Sequence, residues 1–216
     1  MLQLDSGIST SNANAKATER ETIIMKRSEI NRAVAEAALV FATHHWHLPP
    51  EPRWDVTGFG LGDFEKSGLV LVNLAQLPQY CEKLMYARQN QVTPMHCHKT
   101  KQEDIICRSG TFAIRLAGRN DVWGINRASG PIEVLLNGVS NMAEAGSVLF
   151  LGAGERITLY PGTYHEFWPV SPYAILGEVS TANDDATDNF FENSNVGRFE
   201  TIEEDEPAIV KLVSDL

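Results

Sequence analysis

An all-β fold, a sandwich or barrel with one helix ahead of it, is predicted by three features of the sequence. From Pro52 to Val179 the apolar residues come in short runs rich in β-branched and aromatic side chains, glycines separate those runs, and no helical period is sustained in the stretch. Short strands joined by tight turns favour stacked or closed sheets. A chain of 216 residues suits one domain with one core.

The elements follow in chain order. Residues up to Glu21 are rich in Ser, Thr, Asn and Ala, with no apolar run of bilayer length and no signal-peptide core, so residues 1–24 read as a disordered extension. Met25 opens a different composition. Ser28 reads as the cap of a helix over residues 29–44, whose apolar stripe is Ile30, Val34, Ala37 or Ala38, and Phe41. Pro49, Pro50 and Pro52 stop it. Nine strands are then predicted over residues 68–74, 83–91, 104–107, 111–117, 132–136, 147–151, 156–160, 166–169 and 174–180. Asn137-Gly138 is a hairpin signal, and Gly110, Gly146, Gly152 and Gly162 mark further turns. Beyond Thr181 nine acidic side chains fall within residues 181–206 against one basic residue, Arg198, which reads either as a solvated surface or as a segment folded over the site.

Composition excludes several function classes. The hydrophobic content is 43% and the charged content 21%, ordinary for a globular domain. A net charge of −10 gives no bulk attraction to nucleic acid or anionic membrane. Cys81, Cys97 and Cys107 are an odd set without metal-type spacing, which fits a reducing compartment, and a cytoplasmic location is expected. Cys97 and Cys107 read as packing residues.

The six histidines form two groups and a singleton. His96 and His98 are two apart in a strand-like context, so both rings leave one face while Cys97 leaves the other. Glu103 follows after a turn's length, and His165 comes just after Pro161-Gly162. Three imidazole nitrogens and one carboxylate oxygen suit a borderline divalent metal such as Mn, Fe, Co, Ni or Zn. A lone His-x-His is equally ordinary strand surface; the additional Glu103 and His165 favour a site. His44, His45 and His47, beside Trp46 at a helix end, have no accompanying carboxylate and read as structural or exposed. Lys101 lies between His98 and Glu103, at even spacing to Glu103, so it either projects to the same site or is solvated at the turn. Glu178 lies inside an apolar run, either buried for a purpose or on a strand edge.

The order His96-x-His98, Glu103, Gly110, then Pro161-Gly162 and His165, resembles the two motifs of the cupin superfamily, jelly-roll β-barrels carrying one metal at the mouth. Asn90, the contracted Pro161-Gly162 and Pro169 depart from those motifs without touching a ligand. More specifically, residues 25–31 (MKRSEIN), 54–60 (WDVTGFG), 96–106 (HCHKTKQEDII), 161–168 (PGTYHEFW), 177–180 (GEVS), 183–189 (NDDATDN), 197–199 (GRF) and 202–207 (IEEDEP) resemble the D-lyxose isomerase family. The resemblance implies a single cupin domain over residues 25–216 and interconversion of D-lyxose with D-xylulose, with D-mannose and D-fructose as a second pair. It also implies one divalent ion per chain, Mn²⁺ first and Co²⁺, Zn²⁺, Fe²⁺ or Ni²⁺ otherwise, on His96, His98, Glu103 and His165, with Lys101 as the active-site lysine.

That activity moves a proton between adjacent carbons through an enediol, or else shifts a hydride. Glu178 is the first candidate for the proton-carrying carboxylate, with Glu192, Glu203 and Glu204 as others. Asp188 and Arg198 are expected to touch the sugar from a C-terminal acidic lid. The only partner expected besides a small sugar is a second copy, in a homodimer that covers open sheet edges. The rival readings are a cupin dioxygenase or oxidase and a non-catalytic sugar-binding module.

Overall fold

The structure, a computed structural model, describes residues 24–119, 130–182, 184, 187–197 and 201–215. The chain begins with β1 (Ile24–Lys26), α1 (Arg27–Thr43), β2 (Arg53–Thr57) and α2 (Phe64–Ser67). The central strands are β3 (Leu69–Gln76), β4 (Tyr80–Arg88), β5 (Thr93–Cys97), β6 (Glu103–Ser109), β7 (Thr111–Arg119), β8 (Ile132–Leu136) and β9 (Val139–Ala143). Then come β10 (Val148–Gly152), β11 (Arg156–Leu159), β12 (Thr163–Pro169), β13 (Tyr173–Thr181), β14 (Phe190–Phe191) and β15 (Thr201–Glu203), with a final 3₁₀ turn at Val213–Asp215. Each of the nine predicted strands has its counterpart. β1, β2, β5, β9, β14 and β15 were not predicted: β1, β14 and β15 are short segments of three, two and three residues, β2 follows prolines, β5 contains Pro94, and β9 carries Ser140 and Asn141 in an exposed edge strand.

Two sheets face each other. The larger has the order β2-β3-β4-β13-β6-β11-β8-β9 and the smaller β10-β7-β12-β5-β14. The fold is the expected cupin type, although no continuous hydrogen bonding closes the sheets into a barrel among the described residues. The period of two assigns the faces. Leu69, Leu71, Met85, Ala87, Ile105 and Cys107 of the larger sheet meet Phe112, Ile114, Leu116, Leu151 and Phe167 of the smaller in the main core. The intervening Val70, Val72, Leu84, Tyr86 and Ile175 point outward and are covered by Ile30, Val34, Ala37 and Phe41 of α1. Burial on both faces explains why β3 and β4 read as continuous apolar runs.

Asn137 and Gly138 both have positive φ, 52° and 81°, the pair of left-handed residues that a two-residue hairpin requires between β8 and β9. The start of α1 differs from expectation. Ser28 does not cap it: Lys26 holds the capping position, and Ser28, inside the helix, donates its N–H and hydroxyl to Asp205 at 2.9 and 2.7 Å. A carboxylate 177 residues away thus satisfies the helix end, where an anion is also favoured by the dipole. The expected extension falls on residues 1–23, outside the described residues, and Ile24 instead belongs to β1, which pairs in parallel with β15. Among the described residues no helix is long and apolar enough to cross a membrane. Cys81, Cys97 and Cys107 are buried free thiols.

Candidate metal centre

Strand register brings the histidines together. His165 on β12 is the cross-strand partner of His96 on β5, so their rings lie side by side with centroids 4.3 Å apart. His98, on the same face as His96, has its ring centroid 5.1 Å from that of His96 and 5.9 Å from that of His165. The chain then crosses to the other sheet and enters β6 at Glu103. The ligand atoms of His96, His98, Glu103 and His165 all lie within 4.8 Å of one another, every residue is buried, and together they could hold a metal ion.

The hydrogen bonds aim this set. Nδ1 of His96 bonds the Pro94 carbonyl at 2.7 Å, that of His98 the Asp188 carbonyl at 2.9 Å, and that of His165 the Thr163 carbonyl at 3.0 Å. A carbonyl only accepts, so each Nδ1 carries a proton and each ring turns its Nε2 inward, the nitrogen that offers a lone pair when the ring is a ligand. Nε2 of His98 and of His165 are buried without a hydrogen-bond partner although Glu103 Oε1 lies 3.4 and 3.1 Å from them. Lone pairs directed at a carboxylate oxygen repel unless a cation lies between them. Burial, with the two neighbouring imidazoles, pushes the pKa of His96 well below its ordinary value and keeps the ring neutral as a ligand must be. The residues present therefore fit a divalent ion, and their mixed N/O chemistry suits a borderline metal without selecting one.

A row of buried charges leads away from the ligands. Lys101 Nζ lies 2.9 Å from Glu103 Oε2 and 3.1 Å from Glu178 Oε1, and Lys83 Nζ lies 3.2 Å from the same Glu178 oxygen. Lys83, Lys101, Glu103 and Glu178 are each at most 8% exposed. Burial raises the Glu178 carboxyl, but the ammonium groups of Lys101 and Lys83 more than offset it and bring it to about 2. Burial likewise opposes ionisation of Glu103, and the Lys101 ammonium holds that carboxyl well below the usual range. For Lys101 burial favours the neutral amine, and the two carboxylates overcome it and raise its pKa.

Lys101 and Glu178 thus take the buried alternative of the two the sequence left open. Lys83 was not anticipated, although a signal exists: it alternates with Cys81 and Met85 on one strand and is the cross-strand partner of Glu178. Of the other carboxylates considered, Glu192 and Glu203 are exposed, and Glu204 bonds Arg27 at 2.6 Å. Asp188 does not face the cavity as expected. Its carboxylate accepts the backbone N–H groups of Lys99, Thr100 and Lys101 at 2.7, 3.0 and 2.9 Å and the Thr100 hydroxyl at 2.9 Å, because a tight turn of unpaired donors needs an acceptor. Arg198 lies outside the described residues. His44 bonds the Tyr173 hydroxyl at 3.0 Å while His45 and His47 are exposed, so this group forms no site.

The cluster opens into a cavity of about 910 Å³, walled by the aromatic rings of Phe59, Phe167 and Phe191 and reaching outward to Arg53 and Asn73. Such a space has room for a small molecule between polar groups and ring faces.

The sequence profile of the D-lyxose isomerase family matches residues 51–216. The chain is 36% identical to a D-lyxose/D-mannose isomerase of Escherichia coli O157:H7, over 88% of this chain and 98% of that protein. It is also 36% identical to one of Serratia proteamaculans, over 85% and 94% of the two chains. The structure of an L-ribose isomerase from Geodermatophilus obscurus superposes with a TM-score of 0.65 at 16% identity, covering 84% of this chain and 99% of that one. That of the Cellulomonas parahominis L-ribose isomerase with L-ribose gives 0.61 at 20% identity, covering 84% and 100%. These two show a shared fold.

Proposed function

The chain belongs to the D-lyxose isomerase family and is an isomerase, and from that premise we propose that it interconverts D-lyxose and D-xylulose, and D-mannose and D-fructose, in a metal-dependent reaction through an enediol. The observation that carries this reading is a buried carboxylate, Glu178, that is not a ligand yet lies one lysine away from the four-ligand cluster. A divalent ion on His96, His98, Glu103 and His165, Mn²⁺ foremost, supplies Lewis-acid stabilisation of developing oxyanion charge.

The remaining work falls to side chains. Glu178 takes the proton from one carbon of the sugar and returns it to the next. Its two lysine partners keep it ionised at any physiological pH, ready to accept; the same pairing weakens it as a base, which suits a group that must give the proton back. Lys101, held protonated between Glu103 and Glu178, places positive charge beside the sugar oxygens and can donate to them. Lys83 positions Glu178. Phe191, tilted 31° to the His96 ring at 5.4 Å, helps to wall off water. The abundance of proton donors beside the ligands favours proton transfer over oxygen activation.

The deciding experiment is a screen of aldopentoses and aldohexoses for ketose formation after chelation and add-back of Mn²⁺, Co²⁺, Zn²⁺, Fe²⁺ and Ni²⁺. Ketose from D-lyxose and D-mannose on metal return is expected. Full activity of the chelated protein, or oxygen uptake in place of ketose, would refute the reading. Solvent deuterium should enter at C1 of the ketose formed from the aldose, and complete transfer of the aldose C2 hydrogen to C1 would replace the enediol by a hydride shift. We also propose a cytoplasmic homodimer, supported by the buried free thiols and by exposed Val139, Met142, Val148 and Phe150 on the edge strands β9 and β10. Sedimentation velocity tests the second copy.

A further inference from the structure

Arg53, Asn73, Lys83 and Glu178 occupy four adjacent strands of the larger sheet and are direct cross-strand partners of one another, Arg53 with Asn73, Asn73 with Lys83, and Lys83 with Glu178. All four line the same cavity. Direct partners share a face, so the row is a polar stripe across the concave side. In the next row inward Leu71, Met85, Leu176 and Cys107 are apolar and belong to the core, and only Asp55, on the outer strand opposite Leu71, is charged. Exposure is graded along the stripe: Glu178 and Lys83 are buried, Asn73 is half-buried and Arg53 is exposed at the mouth. A sheet edge that was merely solvated would not carry its polarity inward to two buried charges.

In the function proposed above Glu178 serves the reacting carbons and Lys83 positions it, which leaves the two outer members of the row without a role. Resting on that function, we propose that Asn73 is a specificity-determining residue that binds the hydroxyls of the substrate's distal carbons, with the open sugar chain lying along the stripe from Glu178 towards Arg53. Strand spacing puts Asn73 about 10 Å from Glu178 along the sheet, and a carbonyl-end-inward sugar extends past Lys83 towards it. The carboxamide offers both a donor and an acceptor, as a hydroxyl partner requires. Among the described residues its only side-chain hydrogen bond is a long one, 3.5 Å from Nδ2 to the Arg53 carbonyl, which a ligand can replace. Arg53 is in turn directed to Gln76, with Nη2 to Oε1 at 3.4 Å, and so closes the outer end of the stripe.

The test is steady-state kinetics of the Mn²⁺-loaded Asn73→Leu and Asn73→Ser variants on D-lyxose and D-mannose, beside thermal melting. A hydrogen bond present equally in ground and transition states predicts a KM raised about ten-fold with kcat changed less than about two-fold. Both variants should show this, D-mannose at least as strongly as D-lyxose, and the serine variant covers the case in which leucine disturbs folding. KM within two-fold of wild type on both sugars for the serine variant, or a fall in kcat at constant KM, overturns the assignment. A wild-type protein that converts no sugar with any metal overturns the proposed function itself, and this inference with it.

Discussion

Two networks of acidic and basic side chains in this molecule share a chemistry and differ in their surroundings. In the cavity, Lys83, Glu178, Lys101 and Glu103 form a chain in which every charge is buried. At the start of α1, buried Arg27 bonds Glu204 and Asp215, whose side chains are 58% and 26% exposed, while Asp205 bonds Ser28. Water screens the second arrangement and reaches little of the first. Burying four charges is unfavourable even when they are paired, so such a chain persists where its chemistry is used. The exposed one ties the C-terminal segment to the helix. The acidic run read as solvated surface or lid is therefore, over residues 204–206, a clamp on α1.

Substitutions can break this contrast. The largest effect is expected from Glu103→Ala or His98→Ala, which should abolish tight metal binding, read by metal analysis after dialysis, and lower turnover on the order of a thousand-fold or more, the loss of several kcal/mol of transition-state stabilisation. Glu178→Gln should lower kcat by about 10²–10⁴-fold with metal content retained; loss of metal as well would make it part of the ligand set. Lys83→Met should lower kcat less and shift the acid limb of the pH–rate profile to higher pH, because removing an ammonium raises the Glu178 pKa from about 2. An unmoved limb would detach Lys83 from Glu178. Asp188→Ala, which frees the turn carrying Lys101, should weaken metal affinity by about 10–100-fold.

The smallest effect on turnover belongs to the clamp. Arg27→Ala should leave kcat near wild type and lower stability by about 1–3 kcal/mol at neutral pH, measured by denaturant unfolding. The sign of its pH dependence follows from the shifts. Arg27 hydrogen bonding outweighs burial and lowers Glu204; Ser28 does the same for Asp205; for Asp215 burial is opposed by the Leu212 N–H and Arg27, which lower it overall. Groups with depressed folded-state pKa values contribute stability above the ordinary carboxylate range and lose it as pH falls through the folded values. The gap between wild type and Arg27→Ala should therefore close as the solution is acidified below that range. A clamp variant that abolished turnover, or a cavity variant that unfolded the protein, would erase the distinction between the two networks.

Much of the site was legible because its signals are local. Two histidines at spacing two must share a face of a strand, and an apolar run interrupted by Glu178 announces a carboxylate with a partner. Lys101 was readable by its even spacing to Glu103. Lys83 was not, since a lysine in a strand ordinarily marks an exposed position, and only its register opposite Glu178 places it inside. Asp188, expected to touch the sugar from a lid, could not be placed from local signals either, since the three N–H groups it satisfies belong to a turn 87–89 residues earlier.

The chain by itself determined which residues alternate, where turns fall, and which donor types stand at strand-compatible spacing, since these depend on the period of the backbone and on side-chain chemistry. The tertiary structure alone decided which strand lies opposite which, and with it the pairing of His96 with His165, the lysines around Glu178, and the distant carboxylates at the start of α1. Register is a cooperative property of the whole core: a strand's pattern says which face is buried, and only the packed sheets say what that face meets.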